Sequence, residues 1–171
     1  MTEQELSRYS RQTGLDVIGT AGQEALRRTS VLIVGVGGLG SPIALYLAGA
    51  GIGRLGLVDD DVVSASNLHR QVLYGDDQVG LPKAVCAAQR LKALNPQVEV
   101  ETFAQRLTPD NAEALISRYD IVVDGCDNYA TRYLIDDVCG RLGRPYVYGA
   151  VSGFEGQVSV FHAGPQPRAY R

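Results

Sequence analysis

Apolar and polar positions along this chain fall into short buried runs separated by helical periods. Val31–Val34 is four apolar residues in a row, the pattern of a strand covered on both faces. Gly35, Gly37, Gly38 and Gly40 follow at once, and Ser41-Pro42 open an apolar helix reaching Ala50. Ile43, Ala44, Leu45, Leu47 and Ala48 cover most of its circumference, so burial is expected all round. Leu55–Val58 reads as a second buried strand, ending in Asp59, Asp60 and Asp61, and residues 62–81 then run polar and irregular. A helix is predicted over Pro82–Leu94, and Val98, Val100 and Thr102 alternate with Glu99 and Glu101 as a half-exposed strand. Thr108-Pro109-Asp110 caps a helix to about Ser117, and Ile121–Asp124 is another buried strand. Asp127 is the predicted cap of a helix over Asn128–Leu142, which Gly143 ends. Tyr146–Val151 and Gln157–Phe161 are two late strands joined by a turn with Gly153 and Gly156.

Before the first strand, residues 3–10 suit a short helix, and Thr20 with Gln23 resembles a capping box opening a helix over Gly22–Arg28. Strands alternating with helices predict an α/β, Rossmann-like fold: a mainly parallel sheet, helices on both faces, and an antiparallel addition near the C-terminus. One domain over 1–171 is expected, with N-terminal helices at 3–29, a nucleotide-binding core at 30–161 and an irregular tail at 162–171.

Composition narrows the class. A formal net charge of −3 argues against a general nucleic-acid binder. MTEQELSRYS lacks the apolar centre of a signal peptide, and Pro42–Ile52 is too short to span a membrane. The three cysteines, Cys86, Cys126 and Cys139, form no C-x-x-C. They suit a reduced, cytoplasmic protein with no disulfide framework and no metal site of its own.

The glycine run carries the first chemical signal. Gly35-x-Gly37-x-x-Gly40 fits a dinucleotide fingerprint, and Asp59, 19 residues beyond Gly40, suits a ribose hydroxyl. On these features alone NAD is favoured over ATP. A P-loop is excluded, because no G-x-x-x-x-G-K-[ST] occurs. Arg70 and Lys83 shift the balance, with Arg11 a candidate third cation, because a triphosphate carries more charge than a dinucleotide pyrophosphate. Arg8 and Arg11 have an ordinary explanation as a solvated helix face. Asp124 and Asp127 lie at the carboxyl end of a strand, where a carboxylate can hold Mg²⁺ against phosphate. Their ordinary alternatives are a loop carboxylate and a helix N-cap.

Several stretches together carry a family resemblance. RYSRQ (8–12), GQEAL (22–26), VGVGGLGSP (34–42), the aspartates at 59–61 and SNLHRQ (66–71) come first. G-x-P-K (80–83), LNP (94–96), CDNYATR (126–132) and GFEGQVSVF (153–161) follow in order. The chain thereby resembles the ThiF/MoeB family of adenylyltransferases, which are similar to ubiquitin-activating enzymes. The resemblance implies that ATP binds above the sheet. The C-terminal glycine carboxylate of a small ubiquitin-like sulfur carrier, of thiamin or molybdopterin type, then attacks its α-phosphate to form an acyl-adenylate. It assigns Gly35, Gly37, Gly38 and Gly40 to the phosphate turn, Asp59 to the ribose and Asp61 to the nucleotide site. Ser66, Asn67, Leu68, His69 and Arg70 would line the nucleotide. Lys83 would contact phosphate, and Asp127, with Asn128 beside it, would stand at the magnesium end. Arg11 would reach into a partner subunit's site, which implies a homodimer. Arg11, Arg70, Lys83 and Asp127 are the expected catalytic set. The segment DDDVVSASNLHRQ looks slightly closer to the thiamin-type members.

The pattern departs from the family at its end. Where the family continues C-Y-R-C into a zinc site, this chain has Ala169-Tyr170-Arg171, and alanine cannot bind zinc. No zinc site is expected, and the stop in mid-motif favours a fragment over a complete, reduced member. The three cysteines match none of the family's functional ones and are expected to be small buried residues. The alternatives are an NAD-binding oxidoreductase and a non-catalytic module that binds a carrier.

Overall fold

The computed structural model describes residues 1–170; Arg171, the last residue of the expected tail, lies outside the described residues. Six strands form one sheet: β1 (Ser30–Val34), β2 (Arg54–Val58), β3 (Glu99–Phe103), β4 (Ile121–Asp124), β5 (Tyr146–Ser152) and β6 (Glu155–Phe161). Their order is β3-β2-β1-β4-β5-β6. All neighbours are parallel except β5 and β6, which pair antiparallel from Tyr146↔Phe161 to Ser152↔Glu155. The Rossmann-like class with its antiparallel addition is therefore observed.

Among the described residues seven α-helices accompany the sheet: α1 (Glu3–Arg8), α2 (Ser10–Thr13), α3 (Gly19–Arg28), α4 (Gly40–Ala50), α5 (Lys83–Leu94), α6 (Pro109–Ile116) and α7 (Tyr129–Leu142). The side-chain alternation of the strands divides the core. Val31, Ile33, Leu55 and Leu57 pack with Ala44 and Ala48 of α4 and Ala87 and Leu91 of α5. Leu32, Val34, Val122 and Tyr146 face the opposite way, against Ala112 and Ile116 of α6 and Ile135 and Val138 of α7. Helices thus cover both faces, as the near-continuous apolar runs of a parallel sheet require.

Several predicted boundaries move. The N-terminal helix breaks at Tyr9, so α1 and α2 are separate and do not hold Arg8 and Arg11 on one continuous face. Tyr9 is buried, donating to Gln97 and accepting from Asn95, which fixes the break in the core. No capping box forms at Thr20: α3 begins at Gly19, and Gln23 is buried, donating to the Ala50 carbonyl. Asp127 is not the cap of α7. Asn128 is, its side-chain oxygen accepting from the Thr131 N–H at 2.9 Å. Residues 162–170 have no regular structure, yet they are pinned. Asp136 Oδ1 receives both the His162 ring nitrogen at 2.7 Å and the Tyr170 N–H at 2.9 Å, while the Tyr170 ring packs on Tyr148.

Two glycines of the first turn are demanded by geometry. Gly35 has φ +85°, and a Cβ there would meet the Gly125 carbonyl at 2.8 Å. A Cβ on Gly40 would lie 2.0 Å from the Gly35 carbonyl, so only glycine lets α4 start directly against the end of β1.

Candidate nucleotide site

β1 and β4 are neighbours whose connections leave in opposite directions, so their carboxyl ends open a crevice. A cleft of about 990 Å³ lies there. Its lining includes Gly35, Gly37, Gly38, Asp59, Asp61, Asn67, Arg70, Lys83, Asp127 and Asn128. Most of the expected nucleotide residues therefore converge from five separate stretches of chain.

The turn between β1 and α4 is held at both backbone polar groups of one residue, Val36. The Val36 N–H donates to Asp59 Oδ2 at 2.7 Å, and the Val36 carbonyl accepts from the Tyr74 and Ser41 hydroxyls at 2.7 and 3.1 Å. Asp59 Oδ1 accepts from the Asp61 N–H at 2.8 Å, so this carboxylate braces the glycine turn and the end of β2 together. Burial raises its pKa, opposed by those two backbone hydrogen bonds. Each oxygen has a lone pair left for a ribose hydroxyl.

Lys83 is 3% exposed, and its Nζ donates to Asp61 Oδ2 at 2.9 Å. Its own N–H bonds the Asp61 carbonyl at 2.9 Å. Asp61 therefore aims the lysine as well as lining the cleft, a partnership invisible from its place in the aspartate run. Arg70 lies over the turn, 3.6 Å from where a Cβ of Gly38 would stand.

The two aspartates at the carboxyl end of β4 have opposite roles. Asp124 is completely buried and engaged: Oδ1 accepts from the Cys126 N–H at 2.8 Å and Oδ2 from the Tyr146 hydroxyl at 2.9 Å, with Arg132 Nε 3.5 Å away. It does not line the cleft, so the expectation that it could hold magnesium is corrected. Burial raises its pKa against the effect of these partners. Asp127 is exposed on the cleft and has no partner among the described residues. Its free carboxylate fits a hard cation held jointly with phosphate oxygens. Among the described residues no cluster of three His, Cys, Asp or Glu could hold a metal alone.

Other expected residues stand apart from the cleft. Gly40 serves helix packing, the Ser66 hydroxyl bonds Ser64, Leu68 packs on the core, and the exposed His69 ring lies 3.3 Å from Arg70. Arg11 is exposed on α2 and does not line this chain's own cleft. Sequence reasoning missed Gln105, Arg106 and Leu107 after β3, and Arg132, Tyr148 and Gln157 on the far wall. Arg132 stood inside the quoted CDNYATR stretch, the one signal for it. It donates to the Cys126 carbonyl at 2.9 Å and to the Tyr148 hydroxyl at 3.3 Å.

Cys86 and Cys139 are buried as expected, whereas Cys126 lines the cleft. Burial, and then the Asp124 carboxylate, push its thiol up to about 12. Its thiolate is therefore scarce at neutral pH. We expect iodoacetamide to label Cys126 at pH 8 roughly a hundredfold more slowly than an unhindered thiol. Peptide mass spectrometry over a time course reads this, and labelling at the ordinary rate would refute it.

Fold and cleft define an α/β protein with an open crevice at the carboxyl ends of its central strands, and comparison with known proteins narrows the class. Residues 9–170 match the ThiF family, and the chain belongs to it. A Thermus thermophilus protein named sulfur carrier protein adenylyltransferase is 54% identical over 161 residues, covering 94% of this chain and 59% of its own length. The Sus scrofa adenylyltransferase and sulfurtransferase MOCS3 is 52% identical, covering 98% of this chain and 37% of that protein. The chain thus spans between about a third and three fifths of these relatives. Among solved structures, PaaA superposes with a TM-score of 0.85 at 31% identity, covering 96% of this chain and 54% of that one. The Escherichia coli tRNA N6-threonylcarbamoyladenosine dehydratase TcdA, solved in complex with ATP, gives 0.79 at 31% identity, covering 85% of this chain and 59% of that one.

Proposed function

We propose that this chain is the adenylation unit of an enzyme that activates a ubiquitin-like sulfur carrier, of molybdopterin or thiamin type, with MgATP. The observation that carries the reading is the convergence of Arg70, Lys83 and the free carboxylate of Asp127 on one glycine turn. Two cations and a metal-binding carboxylate answer the charge of a triphosphate better than that of a dinucleotide. The names of the relatives support the same chemistry, and TcdA supplies a similar fold with ATP bound.

In this reading Asp59 accepts from the ribose, the backbone of Gly37 and Gly38 approaches the phosphates, and Arg70 and Lys83 neutralise them. Lys83 leaves or shares Asp61 to do so. Asp127, with phosphate oxygens, would hold Mg²⁺, which offsets charge on the leaving pyrophosphate. The carrier's terminal carboxylate oxygen bonds to the α-phosphorus as the bond to the pyrophosphate oxygen breaks. Such a displacement asks the protein for alignment and charge neutralisation rather than a covalent enzyme intermediate. No helix among the described residues is long and apolar enough to cross a membrane. We assign the reaction to the cytoplasm.

The test is ATP–pyrophosphate exchange dependent on both Mg²⁺ and a carrier ending in Gly-Gly. Absence of exchange with every such carrier, together with calorimetric binding of NAD but not MgATP, would replace this reading by the oxidoreductase one. Carrier binding without exchange would leave a docking module.

Arg11 is proposed to complete the site of a second copy in a homodimer, since its own cleft lies elsewhere. Arg11→Ala and Asp127→Ala are each expected to be inactive. Mixed and re-equilibrated, they should recover about a quarter of wild-type exchange, because one site in each mixed dimer regains both groups. No recovery from verified mixed dimers would place Arg11 outside the partner's site.

A further inference from the structure

Two side chains of the cleft, Gln71 and Arg132, each keep a buried polar atom without a hydrogen-bond partner among the described residues; Arg132 Nε has the Asp124 carboxylate 3.5 Å away, whereas Gln71 has no such counter-group. Gln71 is 4% exposed and lines the cleft. Its Nε2 lies beside the glycine turn, 3.4 Å from where a Cβ of Gly37 would stand. Its Oε1 is buried without a hydrogen-bond partner among the described residues. An orphaned acceptor at such a depth is destabilising and requires an explanation.

The reactants limit what can answer it. Phosphate oxygens only accept, so the triphosphate cannot satisfy a carbonyl oxygen. The ribose hydroxyls have Asp59. Gln71 stands instead at the phosphate end, next to Arg70, whose side chain covers Gly38. The donor that the reaction brings there is a peptide N–H, the last one of an incoming Gly-Gly tail. Rotation about the soft terminal torsion of glutamine turns Oε1 toward the cleft.

We infer that Gln71 is a further substrate-binding residue, accepting a hydrogen bond from the last peptide N–H of the carrier tail and so aligning its carboxylate on the α-phosphorus. The inference rests on the adenylation reading above. It separates Gln71 from its neighbour in the SNLHRQ stretch: Arg70 serves the nucleotide, Gln71 the acyl substrate.

The test pairs a change on each side. Gln71→Met keeps the side-chain length and removes the carboxamide. A semisynthetic Gly-Gly carrier whose last residue is N-methylglycine removes the donor. Each change alone is expected to lower kcat/KM for the carrier about tenfold, the worth of one good hydrogen bond, and the two together no further. MgATP affinity of Gln71→Met should stay within about twofold by calorimetry, since no nucleotide hydrogen bond is removed. Losses that multiply, a matching loss of MgATP affinity, or no loss at all would each overturn the inference. If Gln71→Met fails to fold, the wild-type enzyme with the N-methylated carrier still decides, because an unchanged rate refutes the contact. Wild-type failure with the ordinary Gly-Gly carrier would instead defeat the adenylation reading, and this inference with it.

Discussion

Replacing Lys83 with alanine is expected to lower carrier-dependent ATP–pyrophosphate exchange by roughly two to three orders of magnitude, the usual cost of deleting one preorganised group at a site of developing charge. The size follows from where the ammonium lies. Lys83 opens α5, is almost fully buried, and reaches Asp61 at 2.9 Å. A charge held in that slot has lost most of its hydration, so its attraction for phosphate is screened far less than at a surface. Alanine removes the cation and leaves Asp61 to repel the triphosphate. Lys83→Arg should rescue little, because a buried slot shaped for one ammonium does not admit a planar fork. Initial-rate measurements at saturating carrier read the effect. Exchange by Lys83→Ala at the wild-type rate would remove Lys83 from the phosphate site.

The largest expected effect on stability is at Asp124. Asp124→Ala should destabilise the fold by about 3–5 kcal/mol, as breaking one side of a buried ion pair does. The Tyr146 hydroxyl and the Cys126 N–H lose their acceptor and the Arg132 guanidinium loses its counter-charge, all at once. A fall in Tm on the order of 10 °C follows for a domain of this size, readable by calorimetry. Asp124→Asn keeps the shape but not the charge, and should fall between alanine and wild type. A Tm within about 2 °C of wild type for Asp124→Ala would show that Arg132 finds its compensation elsewhere.

These two sites also show how far the sequence was legible. The strands were legible because buried parallel strands are unbroken apolar runs, and Val31–Val34 and Leu55–Val58 can be little else. The glycine turn was legible because backbone approach leaves a fixed spacing. Asp124 and Asp127 were not separable, since both are acids at the carboxyl end of a strand. What separates them is Tyr146 and Arg132, contributed by β5 and α7. The α7 cap was misplaced for a related reason: Asp127 and Asn128 are both good caps, and only the turn after β4 decides which one faces the cleft. The pinning of the tail was unreadable because Asp136, the acceptor for His162 and Tyr170, lies 26 and 34 residues away in sequence. Gln71 stood in the quoted SNLHRQ stretch, but an orphaned oxygen exists only once the packing around it is known.

The clamp on Val36 has a mechanical consequence. Asp59 holds its N–H, Tyr74 and Ser41 hold its carbonyl, and the floor of the cleft is thereby tied to the sheet and to α4. The excursion between β2 and α5 is tied differently. It leaves and returns through a waist where Val63 bonds Gly80 and Leu81, and Val62 bridges Pro82. The wall is also fastened to the floor, because Tyr74, which holds the Val36 carbonyl, belongs to this excursion and packs with Leu73 in the core. Asp59, Tyr74 and the buried Gln71 thus make the glycine turn and the wall beside it one braced unit, already shaped before any ligand enters.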